Sequence, residues 1–125
     1  MKIQEQQIQE FEKIFSELRA MLHLPDEVMI RLNDKFFESV SSTLTQLKEA
    51  IVSRDYETIE MLAHSIKGSA GSLRYTAISE TVSALEERAH ARENYTYEED
   101  FRFLTEQFHT VDESYKLWKN KMGLL

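Results

Sequence analysis

Apolar side chains recur at spacings of three and four along almost the whole chain, and this regularity restricts the fold more than any other feature. They form five sets. The first holds Ile8, Phe11, Phe15, Leu18 and Leu22; the second holds Met29, Leu32, Phe36, Val40, Leu44, Leu47 and Ile51. The third holds Ile59, Leu62, Ala63, Ile66, Ala70 and Leu73, and the fourth Ile78, Val82, Leu85 and Ala89. The last holds Phe101, Leu104, Phe108, Val111, Tyr115, Trp118 and Met122. Each set falls on one face of a helix with about 3.6 residues per turn, and no comparable two-residue alternation occurs. A sheet-rich fold needs turns every few residues, and the 125 residues include only three glycines and one proline.

Punctuation between the sets agrees with this reading. Pro25 suits the first turn of a helix, where its missing N–H costs little. Asp55 can cap the helix after it, because its carboxylate can accept from an orphan N–H. Thr96 and Glu99 have capping-box spacing. Around Arg74–Thr76 only Thr76 offers a cap. Short connections imply antiparallel neighbours. The expected fold is therefore all-α: an antiparallel four-helix bundle with an additional N-terminal helix. Residues 1–125 are read as one domain, with the N-terminal helix and its connection at 1–24 and the bundle at 26–122. The N-terminal helix, rich in Gln and Glu outside its apolar stripe, covers one end of the bundle or mediates self-association.

Charge and composition exclude several function classes. Lys and Arg total 15 against 22 Asp and Glu, a formal charge of −7, which disfavours nucleic acid or an anionic membrane as main partner. Without cysteine there is no disulfide, thiolate metal site or cysteine nucleophile. No apolar run approaches 18 residues and no signal peptide is visible, so the expected location is cytoplasmic. There is no nucleotide-binding loop and no histidine pair at metal-ligand spacing, so no metal site is expected.

One segment stands apart: His64-Ser65-Ile66-Lys67-Gly68-Ser69-Ala70-Gly71 holds two of the three glycines. The apolar stripe runs through it, so it stays helical, although each internal glycine costs about 1 kcal/mol relative to alanine. In projection His64 points away from the stripe, with Gly68 and Gly71 on its side and Lys67 flanking it. Glu60, one turn earlier, can reach the ring. Bare backbone there would let another molecule approach the imidazole. Spacing alone leaves a second reading open, in which the histidine is an ordinary surface residue and the glycines mark a helix end. Of the other histidines, His23 reads as a loop residue and His90 as a surface partner of Glu86. His109 has no partner.

The run Ala63-His64-Ser65-Ile66-Lys67-Gly68-Ser69-Ala70-Gly71-Ser72-Leu73 resembles the signature of histidine-containing phosphotransfer (HPt) domains, a histidine followed after two residues by Lys-Gly-Ser. Leu85-Glu86 resembles the family's Leu-Glu pair, and Leu47, Ala50 and Asp55 resemble its lead-in. Many members carry a further glycine three residues after Gly71, where this chain has Arg74. The resemblance implies a four-helix bundle, a phosphoryl shuttle between aspartates on receiver domains, and His64 as the phosphorylated residue.

Neutral imidazole is a competent nucleophile without an activating base. On this reading Nε2 of His64 attacks the phosphoryl group, while water or Glu60 holds Nδ1. Lys67 offsets the incoming charge. Glu60, Met61, Gly68 and Gly71 are the candidate partner-facing residues. One lysine is too little charge for phosphoryl transfer, so Mg²⁺ should come from the partner and the chain should bind no cofactor itself. The expected function is a phosphocarrier rather than an enzyme, serving response-regulator receiver domains and a hybrid histidine kinase. Two alternatives are a non-catalytic helical adaptor that binds such domains, and a detached phosphoacceptor domain of a chemotaxis-type histidine kinase. Termination at Leu125 weighs against the last.

Overall fold

The computed structural model describes residues 3–124; residues 1, 2 and 125, which the expected domain bounds include, lie outside the described residues. Five helices and no strand occur among those described: α1 (Ile3–Leu22), α2 (Asp26–Val52), α3 (Tyr56–Ser72), α4 (Thr76–His90) and α5 (Tyr97–Lys121). Each apolar set maps onto one helix, with Leu73 and Met122 at the C-caps of α3 and α5. Most members turn inward, and Leu47, Ile59, Ile66, Val82, Leu85 and Leu104 are fully enclosed, whereas Leu32 and Met122 are exposed. α2 to α5 form the bundle, with α3 packed between α2 and α4. No described helix is long and apolar enough to cross a membrane.

α1 packs against α5, and its Ile14 and Leu22 line cavities with Tyr75–Ile78 and with Leu73, at the end of the bundle where α3 passes into α4. Its stripe buries Phe11, Phe15 and Leu18. The Phe11 ring sits 5.1 Å from Tyr115 and the Phe15 ring 4.8 Å from Trp118, centroid to centroid. Aromatic rings bury large areas, so these pairs fix the helix far more than its polar face does. A two-bonded fork from Arg19 to Asp26, each bond 3.0 Å, ties the end of α1 to the start of α2.

Helix starts depart from the expected caps in three places. Pro25 precedes the first turn of α2, and its carbonyl accepts from Val28 and Met29. Thr96 occupies the cap position of α5 without a side-chain cap bond, so the Thr96–Glu99 box does not form. Glu98, Glu99 and Asp100 instead set negative charge against the positive end of that helix. Thr76 is the first residue of α4, and the cap position belongs to Tyr75. The Tyr75 side chain is anchored in the core instead: its ring lies 5.0 Å from Phe36 and its hydroxyl donates to Asn33. Burial pushes the phenol up, so it remains a donor.

Helix ends share one device. After α2, α3 and α4 the chain turns through Arg54 (φ 55°), Arg74 (φ 69°) and Arg92 (φ 56°). In each case the next N–H reaches back to a carbonyl five residues earlier: Asp55 to Ala50, Tyr75 to Ala70, and Glu93 to Arg88. This is the Schellman arrangement, whose left-handed position favours glycine. Arg54 and Arg92 offset their strain by donating from the guanidinium to Ile51 and Ala89 carbonyls, at 2.6 and 2.8 Å. Arg74 makes no such bond among the described residues.

Candidate functional site

α3 begins where Asp55 accepts from the Thr58 N–H at 3.2 Å and from the Thr58 hydroxyl at 2.6 Å. That cap and the inward face of Ile59, Leu62, Ala63, Ile66 and Ala70 fix the rotation of the helix. His64 is left on the outside, with its side chain 69% exposed. The helix runs unbroken through Gly68 and Gly71 to Ser72, so neither glycine marks its end.

The two glycines do different things. A β-carbon at Gly68 would meet nothing within 4 Å, so bare backbone faces solvent there. At Gly71 it would lie 3.6 Å from Ser79 Oγ, so that glycine faces α4. Gly71 is exposed like Gly68, so its backbone lies at the surface beside α4. Ser72 Oγ donates to the Gly68 carbonyl at 2.9 Å, and Ser79 Oγ to the Lys67 carbonyl at 3.4 Å. These hydroxyls give the exposed backbone extra partners. Ser69 donates to the Ser65 carbonyl, a bond internal to the helix. Met61, one turn before His64, is exposed as a large apolar side chain.

Nδ1 of His64 lies 2.6 Å from Glu86 Oε2 on α4, not against Glu60. Glu86 Oε1 holds Lys67 Nζ at 2.5 Å. Lys67 first and His64 second keep the Glu86 carboxyl below its ordinary range, against its partial burial. An ionised carboxylate only accepts, so the ring nitrogen facing it carries the proton. In the neutral ring the lone pair is then on Nε2, which has no partner among the described residues. The site is a nucleophilic nitrogen in water, a carboxylate fixing its tautomer, and a lysine anchored beside it.

Glu60 is occupied elsewhere. Its Oε2 lies 2.8 Å from His90 Nδ1 and its Oε1 3.5 Å from Arg92 Nη1. Sequence spacing pairs Glu60 with His64 and Glu86 with His90 along single helices; the structure exchanges the partners across α3 and α4. The cause is antiparallel register. Glu60–His90, His64–Glu86 and Gly71–Ser79 are successive rungs of one ladder, with residue numbers rising on α3 as they fall on α4. Glu86 is the side chain beside His64 that helical spacing misses. Its sequence signal is the Leu85-Glu86 pair, Leu85 buried and Glu86 turned toward α3.

His23 lies in the α1–α2 connection, and His109 is exposed on α5. No group of three or more potential metal ligands occurs among the described residues. A family model described as Hpt domain matches residues 31–114, about two-thirds of the chain. That span holds α3, α4 and every side chain of the site. No curated protein and no solved structure matches the chain.

Proposed function

This chain belongs to the Hpt domain family, the phosphotransfer domains of two-component systems, and from that premise we propose that His64 is its phosphoacceptor. It accepts a phosphoryl group from an aspartyl phosphate on a receiver domain and passes it to a second receiver in a phosphorelay. Hpt domains are phosphocarriers that work with receiver domains and histidine kinases. A hybrid histidine kinase feeding this chain is the finer reading.

The observation that carries the proposal is the Nδ1–H of His64 on the Glu86 carboxylate, with Nε2 left open beside Gly68. The Nε2 lone pair forms a bond to phosphorus. The bond from phosphorus to the partner's aspartate oxygen breaks, and its electron pair returns to that carboxylate. Because the Nδ1 proton stays in place, the ring becomes cationic as the bond forms. Glu86 faces that developing charge, and Lys67 stands beside the arriving phosphoryl oxygens. The remaining charge compensation, including Mg²⁺, comes from the receiver. Met61 and Gly68 give the partner an apolar contact and a flat approach, and Glu60 and Gly71 extend that face along the α3–α4 seam. The parts work in the cytoplasm, where receivers act.

The test is incubation with a phosphorylated receiver domain and Mg²⁺, comparing wild type with His64→Gln. Acid-labile, base-stable label on wild type alone is the expected result. Equal labelling of both proteins would refute it. Binding to the receiver without transfer in wild type would instead favour an adaptor.

A further inference from the structure

The carboxylate that helical spacing assigns to His64 serves a second imidazole built in the same order of groups. His90 presents Nδ1 to Glu60 Oε2 at 2.8 Å, and Arg92 shares the other oxygen, as Lys67 does at Glu86. The Glu60 carboxylate accepts, so the proton of a neutral His90 ring sits on Nδ1 and the lone pair on Nε2. Nε2 has no partner among the described residues, and the side chain is 77% exposed. The two histidine–carboxylate rungs are one helical turn apart, about 6 Å along α3. His23 and His109 have no carboxylate on either ring nitrogen among the described residues.

The surroundings of the two rings differ. Beside His64 the outward stripe continues to Gly68, which is open to 4 Å. His90 is the last residue of α4, so no such stripe continues past it, and Glu87 three positions earlier stands where His64 has the exposed, apolar Met61. An exposed carboxylate there offers a receiver domain none of the apolar contact that Met61 offers beside His64.

We propose that His90 is a second phosphoryl-accepting imidazole, used by small phosphoryl donors of the phosphoramidate or acyl phosphate class rather than by a receiver domain. Nε2 forms a bond to phosphorus. With phosphoramidate the phosphorus–nitrogen bond breaks and ammonia departs with its electron pair. With an acyl phosphate the phosphorus–oxygen bond breaks and the carboxylate departs. The Nδ1 proton stays on the ring, which becomes cationic, and Glu60 offsets that charge. Arg92 lies next to the phosphoryl oxygens. This site stands apart from the role given to His64, and a variant lacking His64 tests it separately.

His64→Gln is treated with potassium phosphoramidate, and phosphate at each remaining histidine is followed by mass spectrometry under base. His90 should label about tenfold faster than His23 and His109, the effect of one charge-assisted hydrogen bond. His64→Gln/Glu60→Gln, verified as helical by circular dichroism, should bring His90 down to their rate. Equal rates at all three histidines in His64→Gln would overturn the proposal. So would a His90 rate unchanged by loss of the Glu60 charge.

Discussion

Glu86 lies 22 residues beyond His64 in the chain and 2.6 Å from its Nδ1, and it divides its two oxygens between that ring and Lys67. The arrangement ties the orientation of the nucleophile to the position of the nearest cation, since one carboxylate holds both.

Replacing that carboxylate with an amide should slow transfer and flatten a pH dependence. Glu86→Gln should lower the rate of phosphoryl uptake from a receiver about tenfold, the worth of one charge-assisted hydrogen bond. Lys67 and His64 hold the Glu86 carboxyl below its ordinary 4.5. A carboxylate lowered in the folded state adds stability above its unfolded value and loses it as pH falls through the folded one. Urea unfolding of both proteins, from neutral pH to well below 4.5, should show their stability difference shrinking with acid. A difference that stays constant would count against the ion pair.

Gly68 separates folding from docking. A β-carbon there meets nothing within 4 Å, so Gly68→Gln should raise stability by about 0.5–1 kcal/mol through helix propensity. The same side chain stands in the approach to Nε2. Transfer from a receiver should fall about a hundredfold, as displacement of reacting groups does, while labelling by phosphoramidate falls much less. Thermal unfolding and the two labelling assays check this; parallel losses in both assays would argue for damage to the imidazole itself.

The three left-handed arginines should respond unequally to glycine. Arg74→Gly relieves the backbone without removing any described side-chain bond, and should stabilise the chain by about 0.5–1 kcal/mol. Arg54→Gly also removes the 2.6 Å bond to Ile51 and the pair with Glu98, so its net gain should be near zero or negative. Melting temperatures of the two variants, measured side by side, decide the matter.

α1 should prove an integral part of the fold. Phe15→Ala empties a buried ring position against Trp118 and should cost about 3 kcal/mol or more. Denaturant midpoints check it; a loss below 1 kcal/mol would mean that α1 is only loosely held.

The helices were legible in the sequence because burial on one face imposes a period, and the five apolar sets recur as buried stripes apart from the exposed Leu32 and Met122. The Asp55 cap was legible because its acceptor needs only the N–H groups of its own turn. The outward placement of His64 followed from the same period. Side-chain pairing was not legible. Glu60 and Glu86 each have a histidine four residues ahead and another across the helix pair, and only the register of α3 against α4 selects between them. Turn chemistry was legible in part. Thr96 and Thr76 offer hydroxyls, yet at Tyr75 a ring held in the core sets the backbone. Arg74 stands where many members of the family carry glycine, and the turn is closed by the backbone bonds from Tyr75 N–H to Ala70 and from Arg74 N–H to Gly71.

The Lys67–Glu86 contact bears on how tightly a phosphoryl group would be kept. A cation already matched by an anion gives an arriving dianion only partial relief. Phosphohistidine at this position would therefore remain steep in transfer potential instead of settling into a well. A relay needs that property, since a group bound too comfortably would stop at its first stop and never move on.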